Sequence, residues 1–233
     1  MPSFLEDITP FYGTGERNEA GQTLEEFLAA YDPYRYKTPS CTTDAVVFSC
    51  KGELRTSMTG LKILLVKRSN HPTIGFWALP GGFIDLKENL DDTARRELKE
   101  ETGVENLAME QIAAYGDYDR DPRARVVTTA YMALVDERDV RVKAGDDAAD
   151  AVWCSISMEK AEEKEDADAI RRRYVLHFVN QEKGLDTTAE VLHTLRKGLI
   201  REEKFTVEKR GMIAADHAAI VAQALTILKS RLD

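Results

Sequence analysis

The segment from Gly82 to Val104 restricts this chain more than any other, because it reads as an amphipathic helix that ends in a crowd of acid. Leu90, Ala94 and Leu98 recur every four residues, which predicts a helix over 89–102 with Gly103 as its stop. On such a helix Glu97 lies four residues from Glu101 and three from Glu100, so the three carboxylates share one face. The apolar stripe holds the other side against a core. Like charges at this spacing cost roughly 0.2–0.5 kcal/mol per pair. Glu100 and Glu101 also fall in the last turn, where the helix dipole disfavours negative charge. A hard divalent cation would offset both penalties, and Mg²⁺ is commonly shared between carboxylates and substrate phosphates. The alternative is a solvated Glu/Lys face, softened by Arg96 at i,i+4 from Glu100. The cluster alone leaves both readings open.

Upstream, residues 1–21 show no period and read as an arm. Thr23 and Glu26 fit a capping box opening a short helix through Tyr31, which Pro33 stops. Strands are expected at 41–49 and 61–67 around a polar loop, with a tight turn at 77–82. Further strands are expected at 108–115, 126–135 and 151–155. The charged stretch 158–173 has helical propensity and reads as a solvated surface segment. A small antiparallel sheet is expected from 174–180, 188–194 and 205–209. A last helix over 214–232 places Ile220, Ala224, Leu228 and Leu232 on one stripe. The organisation expected is an N-terminal arm and short helix (1–39) followed by one α+β domain (40–233). That domain carries a variable β-rich insert at 157–210.

The formal net charge of -9 argues against a basic surface for long nucleic acid. It also sits poorly with a phosphate-bearing substrate unless cations mediate the contact. No run approaches the ~18–20 apolar residues of a membrane span, and the first 18 residues do not read as a secretory signal. Cys41, Cys50 and Cys154 are scattered without metal-site spacing and read as reduced, buried thiols. A cytoplasmic, soluble protein is the expectation, with no membrane partner.

The acidic segment resembles the signature of the Nudix hydrolases: glycine, glutamate six residues on, then Arg-Glu-aliphatic-x-Glu-Glu-x-Gly-aliphatic. Gly82, Glu88, Arg96, Glu97, Leu98, Glu100, Glu101, Gly103 and Val104 meet every position. At ~7% usage per residue type, such a match arises by chance on the order of once per billion starting points. The resemblance implies an α/β/α sandwich around a mixed central sheet. It implies Glu97 and Glu101 as metal ligands together with the main-chain carbonyl of Gly81, and Glu100 on a second ion or a metal-bound water. Arg96 would orient the glutamates and Glu88 would support the loop. The cofactor implied is Mg²⁺, with Mn²⁺ as a substitute, and the reaction is hydrolysis of a nucleoside diphosphate linked to another moiety.

Residues 67–83 and 118–123 resemble the ADP-ribose pyrophosphatase branch of the family. With Asp216-His217-Ala218 they also resemble the Nudix domains of NAD-metabolism regulators. ADP-ribose or a related nucleotide sugar is therefore the expected substrate. Alternatives are a ligand-sensing regulatory domain and a pyrophosphatase that cleanses nucleoside triphosphates. The regulators carry a winged-helix domain after the last helix; this chain stops at Asp233, so none is expected, and neither is a nucleic-acid partner. The likeness to the ADP-ribose branch also implies a homodimer, paired through residues 1–40.

Two readings stand for several residues. Arg68, Arg120 and Arg123 bind phosphate or ribose oxygens, or pair with nearby Asp. Trp77 stacks on a base or is a buried turn tryptophan, and Tyr118 poses the same choice. His217 is a capping or core histidine or a catalyst, and Asp216 favours the dipole end of its helix. Asp146, Asp147 and Asp150 are candidates for a general base outside the signature.

Overall fold

The computed structural model describes residues 4–52, 54–138, 140, 142 and 148–232, and the chain divides into two compact units, Met1–Thr38 and Pro39–Asp233. In the first, α1 (Leu24–Ala30) is opened by the expected capping box. The Glu26 N–H donates to Thr23 Oγ1 at 3.3 Å, and the Thr23 N–H donates to the Glu26 carboxylate at 2.8 Å. Arg17 pairs with the same carboxylate at 3.0 Å. Seven residues are too few to hold a helix by propensity alone, so these contacts carry it.

The second unit begins with β1 (Ser40–Cys50), β2 (Lys62–Arg68), β3 (Trp77–Ala78), β4 (Gly81–Phe83) and α2 (Leu90–Thr102). It continues with β5 (Glu110–Tyr115), β6 (Val126–Asp136), β7 (Ala148–Glu165), β8 (Ala169–Asn180), β9 (Leu185–Arg196), β10 (Glu203–Lys209) and α3 (His217–Leu232). One sheet runs in the order β10-β9-β8-β7-β2-β1-β6-β5, with β3 on β2 and β4 on β1. β1 and β6 pair in parallel and the other pairs are antiparallel, so the sheet is mixed as expected.

Side chains alternate across the buried first strand and divide the core into two layers. Ala45 and Val47 pack with Leu64 and with Leu98 of α2. Val46 and Phe48 pack with Ile63, Leu65 and the residues of α3. Helices on opposite faces of one sheet make the α/β/α sandwich. Gly103 ends α2 with φ 71°, a left-handed turn that glycine enters without steric cost.

The expected single stripe on the last helix understates what is found. His217 to Ala222, Ala224, Leu225 and Leu228 are all buried, so α3 is covered on most of its circumference. The two edges of the sheet approach each other around it. Lys204 of β10 pairs with Asp117, just after β5, at 3.0 Å. The Tyr115 hydroxyl donates to the Gln223 side chain at 2.6 Å, and Arg231 pairs with Glu110 at 2.7 Å. Each large apolar side chain of α3 so enclosed contributes roughly 1.5–3 kcal/mol.

Residues 158–173 correct the sequence reading: they lie in β7, β8 and the 166–168 connection between them and form no helix. Local propensity loses to cross-strand pairing. Glu163 faces Arg172 and Glu162 faces Arg173, and both pairs form ion bridges. The strands over 174–209 likewise do not make a separate small sheet. They continue the main one, because β7 is long enough to pair with β2 and β8 in succession.

His193 of β9 is 1% exposed, stacked on Phe205 at 4.2 Å between ring centroids, with its Nε2 3.0 Å from Glu203. Burial outweighs Glu203 and lowers its pKa below the ordinary 6.5. The unfolded chain therefore takes up a proton before the folded one does, and stability falls as pH drops below about 6.5. Burial of Glu101 works in the opposite direction over the same range, so the test is the difference between two proteins: from pH 7.5 to 5.5 the urea midpoint of the wild type is expected to change less favourably than that of His193→Phe. Equal changes in both proteins would remove His193 as a contributor.

Candidate active site

The site is built where the turn between β3 and β4 meets α2. β4 pairs with β1, setting Gly81 opposite Asp44 and Gly82 opposite Thr43. The backbone lies against its neighbours with no room for a side chain. A methyl group on Gly81 would sit 2.0 Å from the Thr43 carbonyl oxygen, and one on Gly82 would sit 2.4 Å from the Glu97 carboxyl carbon. This approach lets the Gly81 N–H donate to Glu101 Oε2 at 3.0 Å. The resemblance assigns Gly81 a carbonyl ligand; the contact formed with Glu101 uses its N–H.

Arg96 is the hub of the acidic face. Its Nε and Nη2 donate to the two oxygens of Glu88, both at 3.0 Å. Nη1 donates to Glu97 at 2.8 Å and Glu100 at 3.1 Å, and Nη2 also donates to the Phe83 carbonyl at 3.1 Å. These contacts match the five N–H donors of a guanidinium. The Thr93 hydroxyl completes Glu88 at 2.7 Å. The Arg96 and Thr93 bonds hold the Glu88 carboxyl down at about 2, so it stays ionised as a permanent counter-charge.

The other glutamates are pushed the opposite way. Burial raises Glu97 despite Arg96. Burial, with the nearby charges of Glu97 and Asp44, pushes Glu101 up to about 7 against the Gly81 N–H. Oxygen-only donors that resist holding their own charge are the chemistry a hard divalent cation suits. Among the described residues no three Asp, Glu, His or Cys side chains converge closely enough to chelate an ion. Glu97 and Glu100 are drawn onto Arg96 instead, and Glu101 onto Gly81.

The structure thus gathers Gly81, Glu88, Arg96, Glu97, Glu100 and Glu101. Arg68 lies near enough for its charge to act on Glu101, while its Nε donates to the Pro72 carbonyl at 2.7 Å. Arg123 forks onto Asp121 at 3.1 and 2.8 Å and lies 5.4 Å above the Phe83 ring, at the edge of the glycine turn.

The substrate-binding expectations for Trp77 and Arg120 are corrected. Trp77 is 4% exposed, packed in the core, and its backbone pairs with Met212 and Ala214, so it cannot stack on a base. Arg120 is buried with two bonds to Asp216, at 2.9 and 2.8 Å, and lies 3.6 Å from Asp44; its donors are turned onto the protein. His217 accepts the Leu79 N–H at 2.9 Å and so fixes the approach to the glycine turn. Asp150 pairs with Lys183 at 2.5 Å. Asp146 and Asp147 lie outside the described residues. Tyr118 is exposed, Cys50 and Cys154 are buried, and Cys41 is half-buried.

Asp44 was missed by sequence reasoning. It is buried beneath Gly81, within reach of Arg120 and 3.8 Å from the His217 ring. A lone acid inside the apolar run of residues 41–49 was the available signal.

Comparison with known proteins agrees with this geometry. The NUDIX domain family matches residues 42–178. Over 113 residues the chain is 42% identical to the ADPR responsive transcriptional repressor NtrR of Acinetobacter baylyi, a match covering 48% of this chain and 43% of that protein. It is 42% identical over 96 residues to the ADP-ribose pyrophosphatase of Methanocaldococcus jannaschii, covering 41% of this chain and 56% of that one. The chain spans about half the length of these curated relatives. The solved NUDIX domain of Shewanella oneidensis NrtR complexed with ADP ribose superposes with a TM-score of 0.50 at 39% identity. That match covers 57% of this chain and 82% of that one. Among the described residues no helix is long and apolar enough to cross a membrane.

Proposed function

The chain belongs to the Nudix family, and from that premise we propose that it is a Mg²⁺-dependent pyrophosphohydrolase acting on ADP-ribose or a closely related nucleotide sugar. The observation that carries this reading is the acidic edge of α2. Glu97, Glu100 and Glu101 are held there by Arg96 and by the Gly81 N–H, with Glu88 neutralising Arg96 from behind. The likeness to a pyrophosphatase of ADP-ribose and to a domain solved with ADP ribose supports the substrate.

Glu97, Glu100 and Glu101 would hold the metal, which when bound neutralises phosphate charge and lowers the pKa of water. Arg96 keeps the carboxylates aligned, so turning them toward a cation exchanges one charged partner for another. Arg68, close enough for its charge to act on Glu101, would offer its guanidinium to phosphate oxygens, and Arg123 would do so on leaving Asp121. Phosphoryl chemistry of this kind is largely positioning plus charge stabilisation, which a rigid strand–turn–helix supplies.

The test is hydrolysis of a panel containing ADP-ribose, NADH, diadenosine polyphosphates, nucleotide sugars and oxidised dGTP. Mg²⁺-dependent release of AMP from ADP-ribose, abolished by chelator and restored in part by Mn²⁺, is expected. Turnover that survives the chelator would reject the metal reading, and selective turnover of oxidised dGTP would reject the substrate. The likeness to a transcriptional repressor favours a second reading, a domain that senses ADP-ribose without cutting it. Tight ADP-ribose binding without turnover, together with ligand-sensitive binding to DNA, would replace the first reading with this one.

A further inference from the structure

The glycine turn is held from one side by a stretch that lies far outside the acidic signature. β3 has β2 on one edge. On the other, Trp77 bridges in parallel to Ile213, donating its N–H to the Met212 carbonyl at 2.9 Å and accepting the Ala214 N–H at 2.8 Å. Two residues further on, the Leu79 N–H donates to His217 Nδ1 at 2.9 Å. Residues 211–217 thus run beside the approach to Gly81. They are seated in turn on β9. Gly211 lies against the Thr188 carbonyl with no room for a side chain, and the Met212 N–H donates to Thr187 Oγ1 at 3.0 Å.

We propose that His217 is a positioning residue of the metal-dependent site: it sets the peptide groups of the glycine turn so that the Gly81 N–H holds Glu101 where a divalent cation meets it. The proposal rests on the pyrophosphohydrolase reading. It also gives the 157–210 strands a task, because β9 supports the stretch that delivers this histidine.

Each polar backbone group leading into the turn has its own partner. Pro80 has no N–H, so Leu79 and Gly81 supply the donors of residues 79–81. Gly81 gives its N–H to Glu101 at 3.0 Å, and the Pro80 carbonyl accepts the Ala45 N–H at 2.8 Å. The Leu79 donor goes to a side chain, and Leu79 is buried. Without the imidazole that N–H would stay unpaired in the interior, and the chain entering Gly81 would lose a fixed point. The two ring nitrogens do different things. Nδ1 accepts from Leu79, so a neutral ring carries its proton on Nε2, which lies 3.8 Å from Asp44 Oδ1, too far for a direct hydrogen bond.

The experiment uses the full chain and measures Mn²⁺ binding by calorimetry, with melting temperatures alongside, in the wild type, His217→Asn, His217→Gln and His217→Leu. Asparagine can place its amide oxygen where Nδ1 stands, whereas glutamine places its amide where Nε2 stands. Val221→Ala, which loses packing from α3, serves as a control for lost stability. Mn²⁺ affinity is expected to fall about tenfold in the Leu and Gln variants and to stay within about threefold in the Asn variant. The Val221 variant should melt earlier with its Mn²⁺ affinity within about twofold. Unchanged affinity in His217→Leu, or equal weakening in His217→Asn and His217→Gln, would overturn the proposal. So would weakening in Val221→Ala in step with its melting temperature, which would make His217 a structural residue only. The contrast of Asn with Gln carries the test if His217→Leu fails to fold. Binding is read without turnover, so a failed hydrolase reading appears separately, as the expected Mn²⁺ pattern in a protein that cuts nothing on the panel. A wild type that binds no Mn²⁺ would overturn the proposal together with the metal reading.

Discussion

Glutamine at position 101 is expected to lower turnover by about 10³-fold or more while leaving the protein as stable as before. Such a loss corresponds to roughly 4 kcal/mol of barrier. The two readouts separate because Glu101 does two things. Its oxygen accepts the Gly81 N–H, and an amide oxygen does so equally well, so the turn between β3 and β4 stays in place. Its charge, by contrast, is held in a buried position beside Glu97 and Asp44, with burial pushing its carboxyl up to about 7. Its ionisation costs the metal-free protein stability progressively as pH rises from 4.5 to about 7, with the full cost present above that, and is useful only when a cation neutralises it. In chelator at pH 8 the melting temperature of Glu101→Gln should therefore match or exceed that of the wild type. Unchanged turnover in the variant would reject the role given to the acidic edge. A fall in melting temperature alongside lost turnover would leave Glu101 a structural acid.

Alanine at the two adjacent glycines is expected to fail in two different ways. At Gly81 the new methyl group meets the Thr43 carbonyl oxygen at 2.0 Å and the Asp44 Cα at 2.9 Å, both backbone of a central strand. Neither can move without unpairing β4 from β1, so Gly81→Ala should destabilise by roughly 3 kcal/mol or more, as severe overpacking does. At Gly82 the methyl group meets the Glu97 carboxyl carbon and oxygens at 2.4 to 2.5 Å, the far end of a side chain that can swing away. Gly82→Ala should fold with little loss and lose activity about 10²-fold, because a displaced carboxylate misplaces whatever it holds. Urea unfolding and steady-state kinetics on both variants check this. Equal loss of stability in the two would mean that Glu97 is as fixed as the strand beneath it.

The sequence by itself was enough to locate the helix from 90 to 102, its left-handed stop at Gly103, the capping box at Thr23 and the identity of the acidic face. Each depends on contacts within a few residues, and a helical period brings Glu97, Glu100 and Glu101 together without help from the rest of the chain. The local signal failed where distant pairing outweighed it. Residues 158–165 favour a helix in isolation, yet they pair with β8, where Glu162 and Glu163 neutralise Arg173 and Arg172 across the strands. Trp77, Arg120 and Asp44 show the same limit at the site. Arg120 was legible as a guanidinium near two aspartates, but its partner Asp216 lies 96 residues away. Only the curling of the sheet around α3 brings them together and opens a cavity between the strand edges, while the register of β4 on β1 sets Asp44 beneath Gly81. Spacing along the chain fixes which chemistry is present, whereas burial and long-range pairing fix which of those groups remain free to use it.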